Sequence, residues 1–336
     1  MIRAYAADKA GGPLKPFSYD PGELGPHQVE IDVLACGVCH SDLSMLDDEW
    51  RISAYPFVPG HEVVGRVARK GNHVRHLETG DTVGLGWFSG CCMTCNECLG
   101  GHHNLCRNNE QTIVGRFGGF ADKVRCNGEW AFRLPAGVDP RSAGPLFCGG
   151  ITVFGPIVEF GVSPTDRAGV IGIGGLGHLA LQFLNKWGCE VTAFTTTDAK
   201  RDEALAMGAH RVVNLTDAAQ LEALAGSLDF VLSTVNADLD WSLFLRTLAP
   251  GGRLHVVGAV PSPIPVPAFA LIGGQKSVSG SPVGSPATTR RMLEFCARHR
   301  IAPITEYFPM SRVNEALQHL ASGKARYRVV LENDFA

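Results

Sequence analysis

The segment Gly172-Ile173-Gly174-Gly175-Leu176-Gly177 follows the apolar run Ala168–Ile173 and opens Leu176–Trp187, where Leu176, Leu179, Ala180 and Phe183 recur at helical spacing. A strand that turns through G-x-G-x-x-G into a helix fits few folds, because each glycine answers a separate steric demand. The first permits the tight turn, the second lets a pyrophosphate approach the backbone, and the third lets helix and strand pack closely. The helix N-terminus then favours phosphate charge. The alternative is a glycine-rich turn that packs for its own sake. Downstream, Glu190–Phe194, Arg211–Asn214, Phe230–Ser233 and Arg253–Val257 read as further strands, and Asp202–Met207 reads as a helix ended by Gly208. Strands alternating with helices imply βαβ units and a parallel sheet.

The predicted coenzyme follows from the end of the second strand. A site for NAD would place an acid about 20 residues on, to bind the ribose 2′-hydroxyl. Here the strand ends in Thr195-Thr196-Thr197, and Thr196 lies 19 residues after Gly177. Lys200 and Arg201 follow. Hydroxyls and cations suit a 2′-phosphate, whereas a carboxylate would repel it. The expected coenzyme is therefore NADP(H), although Asp198 argues mildly the other way and the two cations also read as a solvated helix start. Gly172, Gly174, Gly175, Leu176, Gly177, the three threonines, Lys200 and Val257 are the coenzyme-binding candidates of this region.

Cys92, Cys95, Cys98 and Cys106 form C-x2-C-x2-C-x7-C within one loop. Four thiolates complete a tetrahedral Zn²⁺ and leave no open position, so the expected role is structural. Metal binding would order a stretch, 90–110, too rich in glycine and polar residues to order itself by burial. Cys91 breaks the spacing and reads as a bystander. A second donor set is spread along the chain: Cys39 in CGVCHSD, His61 and Glu62 in PGHEVVG, and Cys148 in PLFCGG. Two cysteines and one histidine leave a fourth position open, as catalysis requires. Taken singly, Cys148 also reads as a packing residue and His61 as a hydrogen-bonded loop histidine.

The chain has 336 residues and a formal net charge of −3, with 45% apolar composition. That length suggests about two domains. Without a basic stripe, nucleic acid is not an expected partner. MIRAYAADKAGG lacks the apolar core of a signal peptide, and no run approaches the roughly 20 apolar residues of a membrane helix. Eleven cysteines with zinc-type spacing fit a reducing compartment. A soluble cytoplasmic protein without membrane partners is expected. Residues 1–150 read as a mostly β domain, with strands at Gln28–Ala35, Val63–Arg69 and Asp81–Gly86. After residue 284 one helix, Thr288–His299, and one strand, Arg326–Leu331, are expected.

Together these motifs resemble the zinc-dependent medium-chain alcohol dehydrogenases, most closely their cinnamyl-alcohol-dehydrogenase branch, which includes bacterial aldehyde reductases. The likeness runs from GVCHSD through GHEVVG, the cysteine loop and PLFCGGITVFGP to GIGGLGHLALQ. It implies a GroES-like catalytic domain over 1–150 holding both zinc ions, a Rossmann domain over 151–284, and a C-terminal return over 285–336, with the active site in a cleft between domains. It further implies that Cys39, His61 and Cys148 hold the catalytic zinc, a ligand set for which alcohol dehydrogenase is the standard example, and that Glu62 can enter the metal shell. Asp42 would orient His61, Ser41 would exchange the substrate proton, and His40 and Thr152 would lie near the coenzyme. Trp50 and Trp87 would line the substrate pocket, with core packing as the alternative. Ser44 departs from the pattern, since many relatives carry there a histidine that ends the proton relay.

The resemblance implies reversible interconversion of primary alcohols and aldehydes, favouring reduction of aromatic or unsaturated aldehydes, by a homodimer or homotetramer. Two other readings stay open: an NADPH-dependent C=C or iminium reductase on this scaffold, and a non-catalytic protein that binds NADPH and zinc.

Overall fold

The computed structural model describes residues 1–335. The chain divides into two compact units, Met1–Ile151 with Val283 onward, and Thr152–Pro282.

Among the described residues, the first unit is built on a seven-stranded sheet. Its central strand, Gln28–Val38, is 11 residues long and mostly buried. It pairs antiparallel with Val63–Lys70, Lys123–Asn127 and Arg328–Glu332. Cys36 pairs with Val63 and Val329 pairs with Val38. This register brings the start of the last strand beside Cys39 and Glu62. The strands near Asp81 and at the C-terminus run over Thr82–Leu85 and Arg328–Glu332. The sequence reading foresaw one helix after residue 284, but the structure has two, Pro286–His299 and Val313–Ala321. The second buries Val313, Ala316 and Leu317, an i, i+3, i+4 stripe that was available in the sequence. The pair Ile2–Ala6 and Lys15–Tyr19 also escaped the reading.

The second unit is a parallel sheet of β1 (Arg167–Ile171), β2 (Glu190–Thr195), β3 (Arg211–Asn214), β4 (Leu228–Ser233), β5 (Leu248–Val256) and β6 (Ser277–Gly280). Among the described residues the spatial order is 3-2-1-4-5-6. That is the doubly wound order that binds dinucleotides where the winding reverses, at the carboxyl end of β1. Its apolar layer includes Phe194, Val231, Trp241, Phe244 and Leu254, each no more than 2% exposed.

The glycine loop after β1 meets the three steric demands of a dinucleotide turn. Gly172 has φ +87°, a left-handed conformation. Gly174 has no heavy atom within 4 Å of the place its side chain would occupy, so the backbone is open to a ligand. At Gly177 a Cβ would lie 1.8 Å from the Gly172 carbonyl oxygen. Helix Gly177–Trp187 therefore packs onto β1 only with hydrogen at that position. Gly177→Ala should destabilise this unit by about 1–3 kcal/mol through overpacking and weaken coenzyme binding, as read by urea unfolding and fluorescence titration with NADPH. Wild-type values for both would contradict the packing argument.

Candidate metal centre and coenzyme loop

Three separate turns deliver the donors of the buried site. The helix His40–Leu46 begins at Cys39, where the Cys39 N–H donates to Asp42 Oδ2 at 2.9 Å. A carboxylate at this position satisfies an otherwise unpaired first-turn N–H. His61 follows Gly60, whose φ of +102° suits glycine. A Cβ there would stand 2.6 Å from the Phe120 nitrogen. Cys148 ends the short turn Gly144–Phe147 and precedes helix Gly149–Glu159.

Asp42 ties two of these turns together. It is fully buried, and its Oδ1 accepts from the Gly60 N–H at 2.9 Å and stands 3.0 Å from His61 Nδ1. His61 Nε2 thereby faces Cys148 Sγ at 3.3 Å, and the Cys39 and Cys148 sulfurs lie 3.8 Å apart. Two sulfurs about 2.3 Å from a tetrahedral zinc would stand about 3.8 Å apart, and a sulfur and an imidazole nitrogen about 3.5 Å. The donor spacing fits zinc.

Charge leads to the same ion. The Cys39 thiol is held well below its usual range, chiefly by hydrogen bonding from Cys148, with His61 and Arg328 adding to the effect against burial. The Cys148 thiol is pushed well up by Cys39 and by burial. Burial opposes charge on His61, but Asp42 outweighs it and raises the imidazole well above its ordinary range. Glu62 is raised to about 7 by burial, against the pull of Arg328. Without an ion, the protons on His61 and Cys148 and the Arg328 guanidinium offset Cys39, Asp42 and Glu62; a divalent cation would take the place of those protons.

Arg328 is the residue that the sequence reading missed. It is 4% exposed, and its Nη2 donates to Glu62 Oε1. The other carboxylate oxygen, Oε2, is buried with no hydrogen-bond partner among the described residues. One carboxylate oxygen of Glu62 and the donor atoms of Cys39, His61 and Cys148 all lie within 4.8 Å of one another, so Glu62 belongs to the donor group. Gly37 admits the carboxylate, since a Cβ there would meet Oε2 at 2.0 Å. An arginine leading an apolar strand was the available signal, because a buried guanidinium demands a carboxylate.

Around this centre, Ser41 Oγ lies 3.7 Å from Cys39 Sγ. His40 is exposed, and Ser44, one helical turn later, is 7% exposed. The Trp87 ring lies 5.1 Å from the His61 ring, edge to face, and 5.9 Å from the Trp50 ring. Trp87 is fixed through its carbonyl, which accepts from the Thr112 N–H at 2.7 Å. Trp50 is 37% exposed on a self-bonded turn in which the Ser53 N–H donates to Asp48 Oδ1 at 3.0 Å.

The second cysteine group is also assembled. Cys92 Sγ lies 3.5 Å from Cys106 Sγ and 4.0 Å from Cys98 Sγ, and it accepts from the Cys95 N–H at 3.4 Å. All four donors lie within 4.8 Å of one another, which suits a four-sulfur tetrahedron. Backbone N–H groups of Thr94 and Cys95 hold the Cys92 thiol down to about 6. Cys91 lies outside this group, with its sulfur 3.3 Å from Met93 Sδ. Among the described residues every cysteine is free of disulfides.

In the coenzyme unit, Lys200 Nζ donates to the Ile173 carbonyl at 3.1 Å and so sits against the glycine loop. Arg201 turns toward the third strand and donates to the Val212 carbonyl at 3.4 Å. Of the two cations, Lys200 is the one at the turn. Asp198 accepts from Asn214 at 3.3 Å. The Thr195 hydroxyl is taken up within the turn, donating to the Thr197 carbonyl and accepting from the Thr197 N–H at 2.9 Å; Thr196 and Thr197 are exposed. Val257 lies one residue past β5, and its N–H donates to Ser233 at 3.0 Å. Thr152 is buried in helix Gly149–Glu159.

Residues 25–136 match the family described as the alcohol dehydrogenase GroES-like domain, and residues 175–298 match the zinc-binding dehydrogenase family. Aldehyde reductase AdhA of Synechocystis sp. is 58% identical over 99% of each chain. The solved cinnamyl alcohol dehydrogenase SbCAD4 of Sorghum bicolor superposes with a TM-score of 0.94 at 38% identity, covering 98% of this chain and 97% of that one. The Helicobacter pylori enzyme CAD, solved with NADP(H), gives a TM-score of 0.90 at 29% identity over 98% and 97%. The chain therefore belongs to the zinc-dependent medium-chain alcohol dehydrogenases, GroES-like and Rossmann-like in its parts, within their cinnamyl-alcohol-dehydrogenase-like branch.

Proposed function

We propose that this chain interconverts primary alcohols and aldehydes reversibly, using zinc and NADP(H), and favours reduction of aromatic or unsaturated aldehydes. The observation that carries this reading is the buried Cys39–His61–Cys148 set, at zinc spacing, with a serine hydroxyl 3.7 Å from one sulfur. The relatives named aldehyde reductase and cinnamyl alcohol dehydrogenase support it. When bound, the zinc supplies Lewis acidity toward a substrate oxygen and the nicotinamide supplies or accepts hydride.

The chain's own residues do the rest. Cys39, His61 and Cys148 hold the catalytic ion, and Glu62, tethered by Arg328, is a reserve donor. Asp42 fixes the His61 ring so that Nε2 faces the sulfurs. The Ser41 hydroxyl passes the proton to or from the substrate oxygen. Ser44 leads that proton outward, acting through water because a serine cannot store a proton near neutrality, and His40 lies toward the coenzyme. Trp50 and Trp87 offer a surface for flat substrates. Cys92, Cys95, Cys98 and Cys106 hold a second, structural zinc.

In the coenzyme domain, Gly172, Gly174, Gly175, Leu176 and Gly177 receive the pyrophosphate, with Val257 at the neighbouring strand end and Thr152 toward the nicotinamide. Thr196, Thr197 and Lys200 face the 2′-phosphate, and Thr195 shapes the turn that presents them. We assign the catalytic role to residues 1–150 and 285–336 and the coenzyme role to 151–284. A cytoplasmic homodimer is the proposed working form. Phe269 is 87% and Ile272 is 68% exposed on the short helix just before edge strand β6, an apolar surface that a second copy would cover. Among the described residues no helix is long and apolar enough to cross a membrane.

The direct test is NADPH and NADH consumption with cinnamaldehyde and zinc-loaded protein. NADPH should be preferred by at least about tenfold, with cinnamyl alcohol as product, and Lys200→Ala should raise KM for NADPH alone. A saturated aldehyde product would mark a C=C reductase, and equal use of both coenzymes would overturn the 2′-phosphate assignment. Asp42→Asn should weaken one of two zinc sites by about 10–100-fold in chelator competition while the other keeps its metal. Unchanged affinity at both would remove Asp42 from the metal support. Trp87→Ala should lower kcat/KM for cinnamaldehyde up to about tenfold more than for acetaldehyde; equal losses would make Trp87 a packing residue.

A further inference from the structure

Away from the cysteine sites, two histidines from neighbouring loops face each other. His27 precedes the strand Gln28–Val38, and His73 lies three residues after Val63–Lys70. His73 Nδ1 and His27 Nε2 are 3.0 Å apart. The ring centroids are 4.7 Å apart, with planes inclined at 69°. Both side chains are exposed.

Backbone hydrogen bonds tie together the loops that carry them. The His73 N–H donates to the Pro26 carbonyl at 2.9 Å, and the Gly71 N–H donates to the Gln28 carbonyl at 2.8 Å. The His27 carbonyl accepts from the Gly128 N–H at 2.9 Å. The loops approach so closely that a Cβ on Gly71 would lie 2.3 Å from the carbonyl oxygens of Gly25 and Pro26. Val74, beside His73, is 4% exposed and anchors its loop in the core. The two imidazoles are held together by the backbone, so bringing them to one ligand costs little further order.

Two arrangements set the scale for imidazoles that meet. A straight N–H···N bond of this length would hold the centroids about 5.3 Å apart. Two imidazoles whose lone pairs meet on one ion about 2.05 Å from each, at about 90°, would put the nitrogens about 2.9 Å and the centroids about 4.5 Å apart. A tetrahedral angle would widen these to about 3.3 Å and 5.2 Å. The observed 3.0 Å and 4.7 Å fit a bent N–H···N hydrogen bond and also the right-angled pair, so an ion could replace the shared proton without moving the rings. Such an angle is found in square-planar and octahedral complexes of imidazole-loving ions.

We propose that His27 and His73 form a surface chelate for a borderline divalent transition metal, copper(II) or nickel(II), distinct from both cysteine sites. Water fills the remaining positions. His76 stands apart from the pair, with its Nε2 3.0 Å from the Gly128 carbonyl oxygen, and serves as the neighbouring control. Neutral imidazole is the binding form.

The test uses the full chain loaded with zinc, so that its cysteines are occupied, with Cu²⁺ as the probe in equilibrium dialysis and electron paramagnetic resonance. One Cu²⁺ should bind with hyperfine structure from two nitrogens. His27→Gln and His73→Gln should each weaken binding by at least about tenfold, while His76→Gln binds as wild type and zinc content stays constant in all three. Wild-type copper affinity in the His27 and His73 variants, or a sulfur-dominated copper spectrum that they do not alter, would overturn the proposal.

Discussion

One buried carboxylate organises the candidate metal site. Asp42 accepts from the Cys39 N–H and the Gly60 N–H and bonds the His61 ring, so it starts a helix, closes a turn and aims an imidazole at once. Cys39 and His61 are 22 residues apart in the chain. Each of these contacts satisfies a polar group that would otherwise be buried unpaired. The cost of breaking any one of them locks the other two, so the donor geometry is stiff before a ligand arrives.

The same economy governs the ion pair behind the site. Glu62 and Arg328 lie 266 residues apart, yet the sheet register places Cys36 opposite Val63 and Val38 opposite Val329. The last strand thus supplies a guanidinium to a carboxylate that only one oxygen engages. Buried charges of this kind rarely raise stability over apolar packing. Here the pair holds the Glu62 carboxylate within the buried donor group. The coenzyme unit follows a different logic, in which backbone shape dominates. Its glycine loop depends on missing side chains at Gly172, Gly174 and Gly177, and charge enters mainly through Lys200.

Much of this was legible in the sequence because it is local. The glycine turn, the four-cysteine loop and the strand–helix alternation each lie within a short stretch whose chemistry has few alternatives. Gathering Cys39, His61 and Cys148 was legible only through the combination of motifs and the family resemblance, since nothing local joins them. Arg328 was missed because its meaning depends on strand pairing over most of the chain. The helix Val313–Ala321 was overlooked for a simpler reason: its apolar stripe is short and follows a proline-broken stretch. The fate of Thr195 was also hidden, because a hydroxyl that bonds within its own turn looks in sequence like one that awaits a ligand.

Two sets of donors, one closed and one open, are proposed to hold zinc in this chain. Zinc-edge X-ray absorption on the purified, zinc-loaded protein, with metal counted in parallel, tests this most directly. Two zinc ions per chain should share an average shell of about three sulfurs near 2.3 Å and one nitrogen or oxygen near 2.0 Å. A single zinc with four sulfurs would leave Cys39, His61 and Cys148 without metal and contradict the account.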